Sequence, residues 1–166
     1  MIKPIQKEQL PICLDILKKS YEKTATTFGM TEENCPYRGR TRLPLDVLEK
    51  EFDDGYFMYG YTLNNQIVGF LSMRQKENEL DIQDIAVLPE YQSRGYGSEL
   101  FQFAKKIAIK SNCQKISLGM VYDNIPLRKW YQDRGFKAVK LIDFEKVSYT
   151  VGIMELSLLK KVVKNP

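Results

Sequence analysis

Gln92, Gly95 and Gly97 form a Q-x-x-G-x-G pattern inside "VLPEYQSRGYGSELF", where a strand-like apolar run gives way to a helix-like one. Backbone N–H groups at a helix entry have no partner in the chain, and the positive end of the helix dipole lies among them. Glycine permits positive φ and lets a guest approach the backbone closely, which a side chain would block. The chemistry on offer is anion binding, and a pyrophosphate suits it. A dinucleotide fingerprint would need glycine at Leu100, and the triphosphate loop needs a G-K-[ST] run that the chain lacks. Taken alone, the same pattern is also that of an ordinary strand-to-helix turn.

Proton transfer is restricted by composition. The chain has no histidine, which removes the Ser-His-Asp and Cys-His systems and the H-E-x-x-H zinc proteases. Carboxylates, tyrosine, lysine, cysteine and backbone remain. The three cysteines (Cys13, Cys35, Cys113) are widely spaced and lack a C-x-x-C pair, so reduced thiols are expected, with no disulfide framework and no metal. Along "ELDIQDIAV" a period of two places Glu79, Asp81, Gln83, Ile85 and Val87 on one face, and Ile82, Asp84 and Ala86 on the other. Asp84, between apolar neighbours, reads as a structural carboxylate satisfied by a hydrogen bond. Tyr131 falls on one helix face with Leu127 and Trp130, a pattern that packing alone also explains.

The elements that position these residues follow from periodicity. "EQLPICLDILKKSYEK" places Leu10, Cys13, Leu14, Leu17 and Tyr21 at helical spacing, with Ile12 and Ile16 widening the stripe. Residues 24–44 have no period and read as a long loop with a helical turn. "LPLDVLEKEFDDG" is a second helix stopped at Gly55. "YFMYGYTL" and "QIVGFLSMR" flank the turn "NN" as a hairpin, and "ELDIQDIAV" is the next strand. A helix over Ser98 to Lys110, a strand "KISLGMV", a helix "PLRKWYQDRG" and two final strands complete the chain, with a further strand at "IKPI". The strand-helix-strand unit around Ser98 to Lys110 demands one parallel pair, whereas the hairpins are antiparallel.

A chain of 166 residues with 43% hydrophobic and 28% charged residues is an ordinary globular domain. We expect one domain over 1–160 and a basic tail over 161–166. No secretory pattern and no bilayer-length apolar run is present, which points to the cytoplasm and away from membranes. The net charge of +4 is modest and interleaved, so nucleic acid is not an expected partner.

"DIAVLPEYQSRGYGSELFQFA" resembles the acyl-CoA signature of the GNAT superfamily of N-acetyltransferases, a V-x-P strand followed by Q/R-x-x-G-x-G/A. "VYDNIPLRKWYQDRGF" is similar to that family's later segment, with Asn124, Tyr131, Gly135 and Phe136 in register. The resemblance implies an α/β fold of three layers, α/β/α, around a mixed, mostly antiparallel sheet of six to seven strands. It implies acetyl-CoA as co-substrate and a small-molecule or peptide amine as acceptor. Backbone around Gln92, Ser93, Arg94, Gly95, Tyr96, Gly97 and Ser98 would wrap the pyrophosphate, and Ile85 and Val87 would meet the pantetheine arm. Tyr131 would protonate the leaving thiolate. The base would be Asp81 first and Glu79 second, directly or through water, although both also read as solvated carboxylates. Asn124 would cap its helix or bond the cofactor. A non-catalytic acyl-CoA-binding sensor and longer acyl donors remain alternatives, and exposed strand edges suggest a homodimer.

The acceptor is not legible. "YRGRTR" suggests a carboxylate or phosphate on it and "EKEFDDG" suggests a polycation, while either run reads equally as a solvated face.

Overall fold

The computed structural model describes residues 1–159, so the tail expected over 161–166 lies outside the described residues. The elements are β1 (Ile2–Pro4), α1 (Leu10–Thr27), α2 (Leu45–Asp53), β2 (Phe57–Leu63), β3 (Gln66–Lys76), β4 (Glu79–Val87), α3 (Tyr96–Lys110), β5 (Lys115–Val121), α4 (Ile125–Gln132), β6 (Lys137–Asp143) and β7 (Thr150–Ser157). The seven strands form one mixed sheet in the order β1-β2-β3-β4-β5-β7-β6. Only β4 and β5 run parallel. Among the described residues no helix is long and apolar enough to cross a membrane.

Local chemistry accounts for most boundaries. Asn64 and Asn65 take φ of 46° and 62°, the left-handed pair that matches the twist of a two-residue hairpin between β2 and β3. In α1, Leu10, Cys13, Ile16 and Leu17 recur at helical spacing and are buried. Ile12 does not widen that stripe: it lies roughly 200° round from Leu10 and is 48% exposed. The helix runs on to Thr27, which shortens the expected loop. Gly135, at φ +94°, ends the turn after α4.

Leu100 of α3 lies 3.2 Å from where a Cβ on Gly69 of β3 would stand, so α3 covers that face. Phe101 of α3 packs edge-on to Trp130 of α4 and against Phe136, so α4 shares it. The opposite face, carrying Ser72 and Asp84, receives Arg40 from the connection after α1 and Glu51 of α2. The sheet is thus sandwiched between two helical layers.

Two irregularities in β4 shape the centre. Its register against β3 slips between Ser72 and Met73: Ser72 faces Asp84 while Met73 faces Ile82, which leaves Gln83 as the extra residue of a bulge. Residues paired across an antiparallel ladder share a face. The strict alternation expected over 79–87 therefore fails at Gln83. Glu79 and Asp81 share a face with Asp84 and Ala86, whereas Ile82, Ile85 and Val87 lie on the other. The second irregularity is that β4 pairs with β5 only at Glu79↔Lys115, Leu80↔Ile116 and Asp81↔Ser117. Beyond Asp81 the two strands splay apart.

Candidate active site

The splay leaves one edge of β4 without a strand. The Leu88 N–H donates to the Val68 carbonyl at 2.9 Å. The alternation of an antiparallel ladder then turns the N–H and C=O groups of Ile85 and Val87 away from β3 and towards the opening. Side chains have taken the carbonyls. The Tyr21 hydroxyl donates to the Ile85 carbonyl at 3.2 Å, and the Ser20 hydroxyl and Gln92 Nε2 donate to the Val87 carbonyl, each at 2.8 Å. Ser20 and Tyr21 were not among the expected site residues, since on α1 they read as two more positions of an amphipathic helix. The N–H donors of Ile85 and Val87 are what this edge still offers a guest.

The glycine loop stands at the far end of the same strand. Gly95 is the N-cap of α3 at φ +91°, a conformation that side chains resist, and no side chain caps the helix. Ser93 is also left-handed, at φ 59°. Gly97 lies two residues further on, in the first turn of the helix, and its φ is outside the left-handed region, so positive φ explains Gly95 but not Gly97. A Cβ on Gly97 would meet nothing within 4 Å. The protein itself therefore does not need glycine there; a guest against the uncapped N–H groups would. Arg94 is exposed and its guanidinium lies 5.6 Å from the Tyr91 ring centroid. Tyr96 leans on Tyr61. A cation that sequence spacing did not signal, Arg134, reaches the loop and donates from Nη2 to the Ser98 hydroxyl at 2.6 Å, its guanidinium stacked 3.4 Å over Trp130.

A cavity of about 1010 Å³ joins these features. It runs from the loop (Gln92, Ser93, Gly95, Gly97, Ser98) along Ile82–Val87 and Leu118–Val121 to α1 and α4, and both Asn124 and Tyr131 line it. Asn124 is the N-cap of α4, its Oδ1 accepting from the Leu127 N–H at 3.3 Å. Tyr131 is 8% exposed. Its hydroxyl has no hydrogen-bond partner among the described residues, yet it is not sealed from the cavity. Burial, opposed in part by Arg134, holds the phenol well above its ordinary range.

The two carboxylates expected to act as base lie elsewhere. Glu79 and Asp81 line a second cavity of about 370 Å³, with Lys76 and Ser117. The two cavities share Ile82, Gln83, Leu118 and Gly119, which is where β4 and β5 part. Asp81 accepts from Lys76 Nζ and from Gln83 Nε2, both at 2.7 Å. Glu79 takes the Ser117 hydroxyl and pairs with Lys115 at 3.3 Å. The Ser117 hydroxyl, then Lys115, holds the Glu79 carboxyl below its ordinary value.

Both charged runs offered as acceptor signals are largely paired within the chain. Arg38 pairs with Glu22 and Arg40 with Glu51 and Asp84. Asp53 and Asp54 pair with Lys7 and Lys50.

Known proteins share this fold. Over 95% of this chain and 98% of the other, the fold superposes with a TM-score of 0.79 on the PaiA N-acetyltransferase of Thermoplasma acidophilum, solved in complex with coenzyme A, at 20% identity. The ribosomal-protein-S18-alanine N-acetyltransferase of Escherichia coli gives 0.77 at 16% identity, over 100% and 98% of the two chains. An N-acetyltransferase of Staphylococcus aureus Mu50 gives 0.71 at 18% identity, over 96% and 98%. At such identities the likeness is one of fold. The sequence profile of the Acetyltransferase (GNAT) family matches residues 16–136, which takes in α1 from Ile16 on, the splayed strands, the glycine loop and Tyr131. The chain belongs to the GNAT acetyltransferase family.

Proposed function

We propose that the protein is an acetyl-CoA-dependent N-acetyltransferase that delivers the acetyl group to a primary amine of a small molecule or peptide by direct attack. The Tyr131 hydroxyl carries this reading: on a residue nine-tenths buried, it has no partner among the described residues and is open on the cavity that holds the glycine loop and the free edge of β4. Phenylalanine would serve packing equally well; the hydroxyl adds a proton donor that faces the cavity.

Acetyl-CoA brings a thioester-activated acetyl group. The residues present suit it. Uncapped N–H groups from Gly95 to Ser98, with Arg94 and Arg134, suit the pyrophosphate. The N–H groups of Ile85 and Val87 suit the carbonyls of the pantetheine arm, in the manner of a strand added to a sheet edge. The coenzyme A bound by the Thermoplasma neighbour supports the same donor.

Formation of the amide must take one proton from the amine and give one to the departing sulfur. Tyr131 Oη supplies the second, because burial keeps it protonated through the neutral range. Asp81, ahead of Glu79, accepts the first, directly or through water from the adjoining cavity. Glu79, with its carboxyl held low, is the weaker acceptor. Asp84 is excluded from this work because its carboxylate is fully buried and both its oxygens are held by the Arg40 guanidinium.

The test is thiol release from acetyl-CoA in the presence of polyamines, aminoglycosides, amino acids and peptide N-termini. Release with at least one amine, lost in Tyr131→Phe, is expected. Tight acetyl-CoA binding with transfer to none of them would favour a non-catalytic acyl-CoA-binding module.

A further inference from the structure

Glycine inside a strand costs stability, so each such residue calls for a local reason. Three of the strand glycines have one in packing. A Cβ on Gly60 would stand 2.8 Å from Ile5, on Gly69 3.2 Å from the Ala86 carbonyl oxygen, and on Gly152 2.7 Å from the Tyr122 ring. Gly119 of β5 has none. Its φ lies outside the left-handed region, and a Cβ would meet only the tip of Ile153, at 3.8 Å, an ordinary contact.

Its position supplies the reason that packing does not. Gly119 is exposed and lies two residues beyond Ser117, the last β5 residue paired with β4, as Gln83 lies two beyond Asp81. It belongs to both cavities. A side chain there would share a face with Ser117, and hence with Asp81, and would stand over the junction.

We propose that Gly119 is a specificity-determining residue that sets the width of the passage between the two cavities, and so how bulky an amine can bring its nitrogen to the thioester. The inference rests on the N-acetyltransferase reading above. Glycine at this point admits acceptors branched at the carbon that bears the nitrogen, such as the N-terminal amino group of a peptide. A larger residue would confine the protein to unbranched amines.

Gly119→Ala and Gly119→Val, assayed with branched and unbranched amines, test this. The kcat/KM for branched amines should fall stepwise with side-chain size, by about tenfold or more for valine relative to unbranched amines. Acetyl-CoA affinity should stay within about twofold, and Tm should hold or rise, because valine suits a strand better than glycine. Equal losses for both amine classes, no loss in either, a parallel fall in donor affinity, or a lower Tm in both variants would each overturn the proposal. Wild-type protein that binds no acetyl-CoA, or acetylates no amine, would instead overturn the proposed function and this inference with it.

Discussion

Arg40 holds Asp84 from two nitrogens, Nε to Oδ1 at 3.1 Å and Nη2 to Oδ2 at 2.6 Å, and turns Nη1 and Nη2 to Glu51 at 2.8 and 3.0 Å. One guanidinium therefore ties the connection between α1 and α2 both to α2 and to the first residue beyond the β4 bulge. Burial pushes the Asp84 carboxyl up and Arg40 pulls against it. Arg40 takes a backbone φ of 76°, a left-handed conformation that a non-glycine residue adopts at some cost.

Removing that cation should strand a fully buried carboxylate. Arg40→Met is expected to lower stability by about 3–5 kcal/mol. The double variant Arg40→Met with Asp84→Asn should recover much of the loss, since the fully buried charge is then gone and only Glu51, 16% exposed, lacks its partner. Urea unfolding of the wild type, the single and the double variants measures both steps.

Tyr131→Phe should lower kcat by about 10²-fold or more while acetyl-CoA affinity, read by calorimetry, stays unchanged. The wild-type pH profile carries the matching sign. A raised phenol keeps its proton up to higher pH, so the acid function is intact below the shifted value and lost only above it. Turnover should therefore show no falling limb up to about pH 10, the ordinary tyrosine value.

Gly97→Val separates binding from folding. A Cβ there has open space on the protein side, so unfolding midpoints should change little. Acetyl-CoA affinity should fall by about tenfold or more if the phosphates lie against the first turn of α3. Gly95→Val should weaken both, because φ at Gly95 is +91°.

Glu79 makes a stability prediction in acid. A carboxyl held low in the folded state contributes stability that is complete above its unfolded value, about 4.3, and is lost as pH falls through the lower folded value. Glu79→Gln should accordingly be less stable than wild type near neutrality, with the gap closing in acid. Thermal melts from pH 7 to pH 3 show whether the two curves converge.

The hairpin turn at Asn64 and Asn65, the helix stop at Gly135, the cap at Asn124 and the glycine loop were all legible in the sequence, because each is decided by residues a few positions apart. The same locality carried the family signature, whose two segments each lie within one strand-to-helix passage. Three features of the site are not local. The bulge at Gln83 is a mismatch of count between β4 and β3, and no pattern within β4 reveals it; it moved Glu79 and Asp81 to the face they share with Asp84. Arg40 meets Asp84 across 44 residues of chain, so "YRGRTR" looked like free charge until the fold paired it. Tyr21 reaches Ile85 across 64 residues, and on α1 it had looked like one more apolar position. Short-range chemistry in the sequence determined the elements, the glycine loop and the family. The tertiary structure decided which carboxylate is sequestered, which backbone donors stay free and where the two cavities meet, because those depend on register and on contacts between distant segments.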